Sequence, residues 1–67
     1  MIRVTVNGAA HRFEAPLHVR ALLERLDMAG KKVAVEKNGE IVPRGLHHDT
    51  LVRDGDCLEI VVAVGGG

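Results

Sequence analysis

Residues 2–13 read IRVTVNGAAHRF. The apolar side chains of this stretch alternate with polar ones up to Asn7-Gly8, a dipeptide that tolerates the positive φ angles of a two-residue type I′ turn. A three-residue loop would turn Arg12 and Glu14 toward the apolar face, so the pattern favours the shorter loop. The predicted hairpin pairs are Ile2–Phe13, Val4–His11 and Val6–Ala9 on the buried face and Arg3–Arg12 on the exposed face.

An amphipathic helix follows the hairpin. Pro16 ends the second strand, and apolar side chains then recur at the i, i+3, i+4 and i+7 positions of one helical face. We expect a helix over residues 18–29, with Gly30 taking the left-handed conformation that ends it. His18 is a poorer N-cap than Ser or Thr. The apolar stripe consists of Val19, Leu22, Leu23 and Leu26.

The second half of the chain predicts three further extended segments. Alternation at residues 33–36 and a second Asn-Gly, at Asn38-Gly39, predict a strand and a turn into a short extended piece at residues 40–42. Pro43-Arg44-Gly45 then interrupts regular structure, and the stretch to Thr50 reads as a loop with a turn of helix. Asp54-Gly55-Asp56 predicts another tight turn.

The last strand is almost wholly aliphatic, which is typical of the middle of a sheet. Alternation predicts that its even-numbered residues face the helix and that Val61 and Ala63 face outward, together with Ala34 of the third strand. Exposed aliphatic side chains beside the chain's end indicate a partner-binding surface at Ala34, Val61 and Ala63. The residues expected to face the helix are Leu58, Ile60, Val62 and Val64.

This order of elements predicts an α+β fold with one main helix packed on one face of a mixed sheet. The simplest such fold for 67 residues is the ubiquitin-like β-grasp, although the order alone leaves other small two-layer folds open. We expect one domain at residues 1–64 and a flexible glycine tail at residues 65–67.

Composition excludes several classes of function. Nine Lys and Arg balance nine Asp and Glu, and one Phe is the only aromatic residue, so neither a basic field nor stacking platforms for nucleic acid are expected. The chain has no basic leader and no long apolar run, so we expect no membrane segment. A single cysteine fits the reducing cytoplasm.

The sequence ends with Gly65-Gly66-Gly67 directly after the predicted central strand. A tail without side chains is thin enough to enter a narrow cleft of another protein and present a carboxylate there. Such a carboxylate becomes an acyl donor once a partner adenylates it with ATP, after which a sulfur or nitrogen nucleophile can attack. On a ubiquitin-like fold, this interpretation is favoured over a frayed terminus.

The remaining candidate side chains predict neither a metal site nor a catalytic site. His47, His48 and Asp49 lack further ligands at suitable spacing, so a solvated loop is expected rather than a metal site. Cys57 lacks a neighbouring motif that would activate its thiol, which favours a packing or surface role. His11 is expected at the rim of the core. No serine is present, which excludes a serine-based triad, and the protein is not expected to be an enzyme.

Three stretches carry a resemblance to a known family: VEKNGEIVPR at residues 35–44, Asp54-Gly55-Asp56 before an aliphatic strand, and the terminal Gly66-Gly67. Together they resemble the ThiS family, the sulfur carriers of thiamine biosynthesis. The residues at 18–21, HVRA, depart from the Thr or Ser with a later Glu that the family commonly has, so a capping box is missing. The third terminal glycine is a second departure.

The resemblance implies that an E1-like (ThiF-like) enzyme uses ATP to adenylate the carboxylate of Gly67. A sulfur donor protein then supplies sulfur to form a thiocarboxylate, and thiazole synthase (ThiG-like) takes that sulfur. No cofactor is expected on the carrier itself. The alternatives are a carrier for molybdopterin or cysteine synthesis, and a ubiquitin-like interaction domain that is never activated.

Overall fold

The computed structural model of the protein describes residues 1–62. Within them it contains seven strands, one α-helix and one short 3₁₀ helix. The expected order of elements is confirmed, with two short strands added. In chain order the elements are β1 (Ile2–Val6), β2 (Ala9–Phe13), β3 (Leu17–His18), α1 (Val19–Arg25), β4 (Val33–Lys37), β5 (Glu40–Val42), the 3₁₀ helix (Arg44–Leu46), β6 (Leu51–Val52) and β7 (Cys57–Val62).

The main sheet has five strands in the order β2-β1-β7-β4-β5. Strand β7 pairs parallel to β1 and antiparallel to β4, and the two hairpins β1-β2 and β4-β5 are antiparallel. The aliphatic strand is therefore central, as its composition predicts. The helix and the mixed sheet form the predicted two-layer α+β fold.

The N-terminal hairpin has the register that its alternation predicts. Ile2 lies opposite Phe13 and Val4 opposite His11, and Asn7 and Gly8 take φ angles of 51° and 83°. Both angles lie in the left-handed region that a type I′ turn requires. His11 is half-buried and stacks on Phe13, with ring centroids 6.5 Å apart, which agrees with its expected place at the rim.

The helix ends earlier than predicted, at Arg25 rather than near Gly30. The amide of Asp27 donates to the Glu24 carbonyl and the amide of Met28 donates to the Leu23 carbonyl, the two bonds of a Schellman motif. Asp27 takes the left-handed position, at φ 60°. The prediction was wrong because Asp occupied the position for which Gly is the usual signal.

The start of the helix is held by a distant loop. His18 is the N-cap, as expected, and its side chain makes no capping hydrogen bond. The amide of Val19 instead donates to the Thr50 carbonyl and the amide of Arg20 to the His47 carbonyl, each at 2.9 Å. Tertiary structure thus satisfies the amides of the first two helical residues, at a helix start that no side chain caps.

A second, two-stranded sheet was not predicted. It pairs β3 with β6 through Leu17–Val52 and His18–Leu51. Two residues per strand are too few to show alternation, so no periodic signal marks them. This sheet fixes the chain just before the helix and just after the loop that caps it.

The core lies between the helix and one face of the main sheet. Val62 was expected to face the helix as part of the core, but it is 39% exposed at the end of β7. Val64 lies outside the described residues. The buried apolar residues are Ile2, Val4, Val6, Phe13, Val19, Leu22, Leu23, Val35, Val42, Val52, Leu58 and Ile60.

The turn before β7 is organised around the carboxylate of Asp56. The Arg53 amide donates to it at 2.9 Å, the Asn38 side chain donates at 3.0 Å, and the Lys37 ammonium lies 3.7 Å away. Burial alone would raise the pKa of Asp56, but these hydrogen bonds and the nearby positive charge outweigh burial and lower the pKa below its ordinary value of 3.8.

Acid should therefore weaken the fold through Asp56. The unfolded chain takes up a proton at this carboxylate at a higher pH than the folded chain, so the free energy of unfolding should fall as the pH drops below about 5 and through the lowered pKa of Asp56. We expect Asp56→Asn to reduce the slope of the unfolding midpoint against pH in this range. Asn38→Gly, which keeps the positive φ but removes one donor, should reduce the slope partly; an unchanged slope in both variants would contradict this role.

No helix formed by residues 1–62 is long and apolar enough to cross a membrane.

Candidate functional site

Strand β7 is the last element before the predicted tail in the sequence. It lies between β1 and β4 in the middle of the sheet, and the described part of the chain ends on it at Val62. The tail residues Gly65, Gly66 and Gly67, and Ala63 of the predicted partner-binding surface, lie outside the described residues. Their predicted roles stay predictions, and the site is built below from the residues that precede them.

Asn7 holds the second half of β7 on the side of β1. Its amide donates to the Leu58 carbonyl at 2.9 Å. Its side-chain Nδ2 donates to the Ile60 carbonyl at 3.0 Å, and its Oδ1 accepts the Ile60 amide at 2.7 Å. Where β1 turns away at Asn7-Gly8, one carboxamide thus continues the ladder of hydrogen bonds along β7.

Asn38 holds the start of β7 on the side of β4. Its amide donates to the Cys57 carbonyl at 2.8 Å, and its Oδ1 accepts the Cys57 amide at 2.9 Å. Both Asn-Gly turns were predicted as turns only. Their side chains hold β7 from both sides, which sequence reasoning missed because the contacts join residues 19 and 53 positions apart.

The outer face of the sheet carries exposed apolar side chains next to the end of β7. Val61 is 62% exposed and lies opposite Ala34, which is also exposed. This confirms the placement predicted for these two residues. Ile41 was missed, although alternation with buried Val42 was a usable signal; it is 75% exposed and lies diagonally across from Ala34. We call Ala34, Ile41 and Val61 the outer apolar patch.

Two glutamates border the outer apolar patch. Glu36 lies directly opposite Glu59 in the pairing of β4 with β7, and it also lies opposite Ile41. Like charges facing each other across two strands weaken a sheet. Neither carboxylate is within ion-pair distance of a cation in residues 1–62.

His47 does not belong to a solvated loop. It is buried, and its Nε2 donates a hydrogen bond to the Val42 carbonyl at 3.1 Å. That prediction was wrong because the turn of helix folds the His47 side chain inward, toward the end of β5. His48 is exposed and lies 3.7 Å from Asp49. No group of three metal-ligating side chains occurs in the described part of the chain.

Cys57 is exposed on the outer face at the start of β7. It lies opposite Thr5 of β1, and both its amide and its carbonyl are bonded to Asn38. Of the two roles predicted for Cys57, packing or surface, its exposure supports the surface role.

The architecture places the protein in a structural class: a ubiquitin-like β-grasp domain whose central strand leads into a glycine-rich end. Comparison with known proteins then gives the family. The model of the ThiS family matches residues 4–67, nearly the whole chain. The chain belongs to the ThiS family of sulfur carrier proteins, as its resemblance to that family predicts.

Individual relatives agree with this assignment. The crystal structure of the thiamine biosynthesis protein ThiS from Geobacter metallireducens matches with a TM-score of 0.85 and 38% identity, over 98% of this chain and 100% of that one. The sulfur carrier protein ThiS of Bacillus subtilis is 39% identical over 73% of this chain and 74% of its own. The thiazole synthase of Paramagnetospirillum magneticum is 46% identical over 98% of this chain, which spans only 20% of that protein's length.

Proposed function

We propose that this protein carries sulfur for thiazole formation in thiamine biosynthesis, as a thiocarboxylate on Gly67. The observation that carries the proposal is the extent of the family match, which runs to Gly67 and so includes the glycine end. The Bacillus subtilis relative is named a sulfur carrier protein, which supports the same role. Residues 1–64 would form the docking domain, and residues 65–67 the tail that enters the partner's active site.

The proposed chemistry consists of two successive displacements, the first at phosphorus and the second at the acyl carbon. The Gly67 carboxylate attacks the α-phosphorus of ATP and releases diphosphate, which gives an acyl adenylate. A sulfide equivalent then attacks the acyl carbon, and AMP leaves with the bonding electron pair. One oxygen of the carboxylate is thereby replaced by sulfur. The E1-like enzyme would supply the catalytic groups, and the carrier would supply only the acyl group.

A thiazole synthase is the proposed acceptor. Two thiazole synthases contain a segment similar to this chain, which makes up 20% of the length of each. When a carrier-like segment is part of the synthase chain, the carrier and the synthase are at high effective concentration relative to each other. Such a linkage is expected for partners that act in succession. This supports thiazole formation over transfer to molybdopterin or cysteine synthesis.

The test combines the purified protein with ATP, sulfide and an E1-like enzyme of the ThiF type. We expect the intact mass to rise by the difference between sulfur and oxygen, with the change confined to the peptide that ends at Gly67. The product is then offered separately to a thiazole synthase, to the large subunit of molybdopterin synthase and to a cysteine-forming acceptor. Sulfur transfer to either of the latter two, but not to thiazole synthase, would contradict the proposed pathway. No mass gain at all would favour the inactive interaction domain.

We further propose that the outer apolar patch, together with Ala63, for which alternation predicts the same face, is the surface on which the E1-like enzyme docks. Val61→Asp places a charge at the centre of this surface without entering the core, because Val61 is 62% exposed. Affinity for the partner, measured by calorimetry, should fall about tenfold or more. The unfolding midpoint should remain nearly constant, since the change buries no charge.

Ala10→Asp is the matched control for the docking surface. Ala10 is exposed on β2 at the far edge of the same sheet, two strands from β7. Its substitution adds the same charge and should leave affinity unchanged. An equal loss of affinity in both variants would show a general charge effect. A large fall in the unfolding midpoint of Val61→Asp would show that Val61 is part of the core.

A further inference from the structure

A basic cleft lies on the helix side of the protein. It has a volume of about 200 Å³ and lies between α1, the loop that follows it and the segment that begins with the 3₁₀ helix. Leu23, Met28 and Val33 give it an apolar floor. No Asp or Glu is among the described residues that line it, so the cleft offers positive charge around an apolar surface. The exposed basic residues at the cleft are Arg20, Lys31, Arg44 and His48.

Two of these basic residues have no acidic partner within residues 1–62. Arg20 lies 3.8 Å from Glu24, and His48 lies 3.7 Å from Asp49. Lys31 and Arg44 form no ion pair with any residue of the described part of the chain. The two therefore carry the strongest attraction for a negatively charged ligand at this cleft.

The cleft also lies at the end of the sheet where the described part of β7 ends. Val33, which lines the cleft, is the strand partner of Val62, the last described residue of β7. Its neighbour Ala34 belongs to the outer apolar patch, on the opposite face of the sheet. A protein that holds the tail can therefore contact both surfaces at the same end of the sheet.

We infer that the basic cleft binds an acidic segment of the enzyme that activates the tail. An aliphatic side chain of that segment fits the apolar floor, and flanking carboxylates pair with Lys31 and Arg44. This arrangement of an apolar centre and a charged rim is typical of protein interfaces. Complementary charge mainly accelerates association and selects the partner. The inference rests on the proposed function, because it takes the E1-like enzyme as the partner.

The test reverses both unpaired charges in the full chain with Lys31→Glu/Arg44→Glu. Rates of thiocarboxylate formation are measured against carrier concentration at low and at high salt. At low salt we expect KM to rise about tenfold while kcat stays within about twofold, because docking weakens and the chemistry does not change. At high salt the KM of the variant should approach that of the wild-type protein, since exposed charges are then screened.

Arg12→Glu/Arg53→Glu is the matched control, because it changes the net charge equally at two exposed residues outside the cleft. The KM of this control should stay within about twofold of the wild-type value. A second control, Lys31→Arg/Arg44→Lys, keeps both positive charges in the cleft and should retain the wild-type KM. Equal KM values for the reversed pair and the Arg12→Glu/Arg53→Glu control would overturn the inference. Wild-type protein that gains no sulfur would instead overturn the proposed function itself.

Discussion

Removal of Gly66 and Gly67 should abolish ATP-dependent activation while the unfolding midpoint stays unchanged. The acyl chemistry needs the carboxylate of Gly67 at the active site of the partner, and a tail two residues shorter cannot place it there. We expect the rate of thiocarboxylate formation to fall by more than about 100-fold. The buried core, by contrast, runs from Ile2 to Ile60 in the described residues and does not depend on these glycines. Intact mass and circular dichroism measure the two effects on the same samples.

Gly66→Val should behave like the truncation, because a branched side chain obstructs a channel that fits backbone alone. Gly45→Val is the matched control: a Cβ at Gly45 meets no atom within 4 Å, and this glycine lies in the 3₁₀ helix, away from β7. It should be activated at the wild-type rate. If the truncated protein still gained sulfur, the sulfur would have to lie elsewhere, with exposed Cys57 the first candidate, and the carrier proposal would fail.

The main fold was predictable because its signals are local. Alternation and two Asn-Gly dipeptides define both hairpins, and the apolar run after Asp56 defines the central strand. What was missed depends on distant contacts or short pairings. The carbonyls of His47 and Thr50 accept hydrogen bonds from the first amides of α1, although both residues lie more than 20 positions after the helix in the sequence. No local pattern encodes such a cap.

The difference between local signals and distant contacts also explains which parts of the functional surface were predictable. Val61 and Ala34 were placed on the outer face by alternation alone, since a strand in a two-layer fold has one covered face and one exposed face. The facing of Glu36 and Glu59 requires the register between two strands, which no turn between them fixes. The basic cleft is still less visible in the sequence, because Lys31 and Arg44 meet only when the loop after α1 packs near the 3₁₀ helix.

Leu22→Ala should leave the protein largely unfolded. Leu22 is fully buried in the core between the helix and the sheet. Truncation of such a side chain costs about 2–5 kcal/mol through lost burial and the cavity it leaves. A domain of this size has only about 3–5 kcal/mol of stability from its core, so the loss is comparable to the whole. Urea unfolding followed by circular dichroism measures this directly.

Two neighbouring substitutions make this prediction specific to burial. Leu22→Met conserves volume and should cost less than about 1.5 kcal/mol, so this variant should still fold and be activated. Arg20→Ala removes only an exposed ion pair with Glu24, which is worth at most about 1 kcal/mol. If Arg20→Ala destabilised the protein as much as Leu22→Ala, the assignment of the buried helix face would be wrong. Activation of Leu22→Ala should fall in proportion to the folded fraction and should recover at low temperature or with a bound partner. The protein with the truncated tail should recover under neither condition, because its fold is intact and its terminal carboxylate is too far back to reach the active site of the partner.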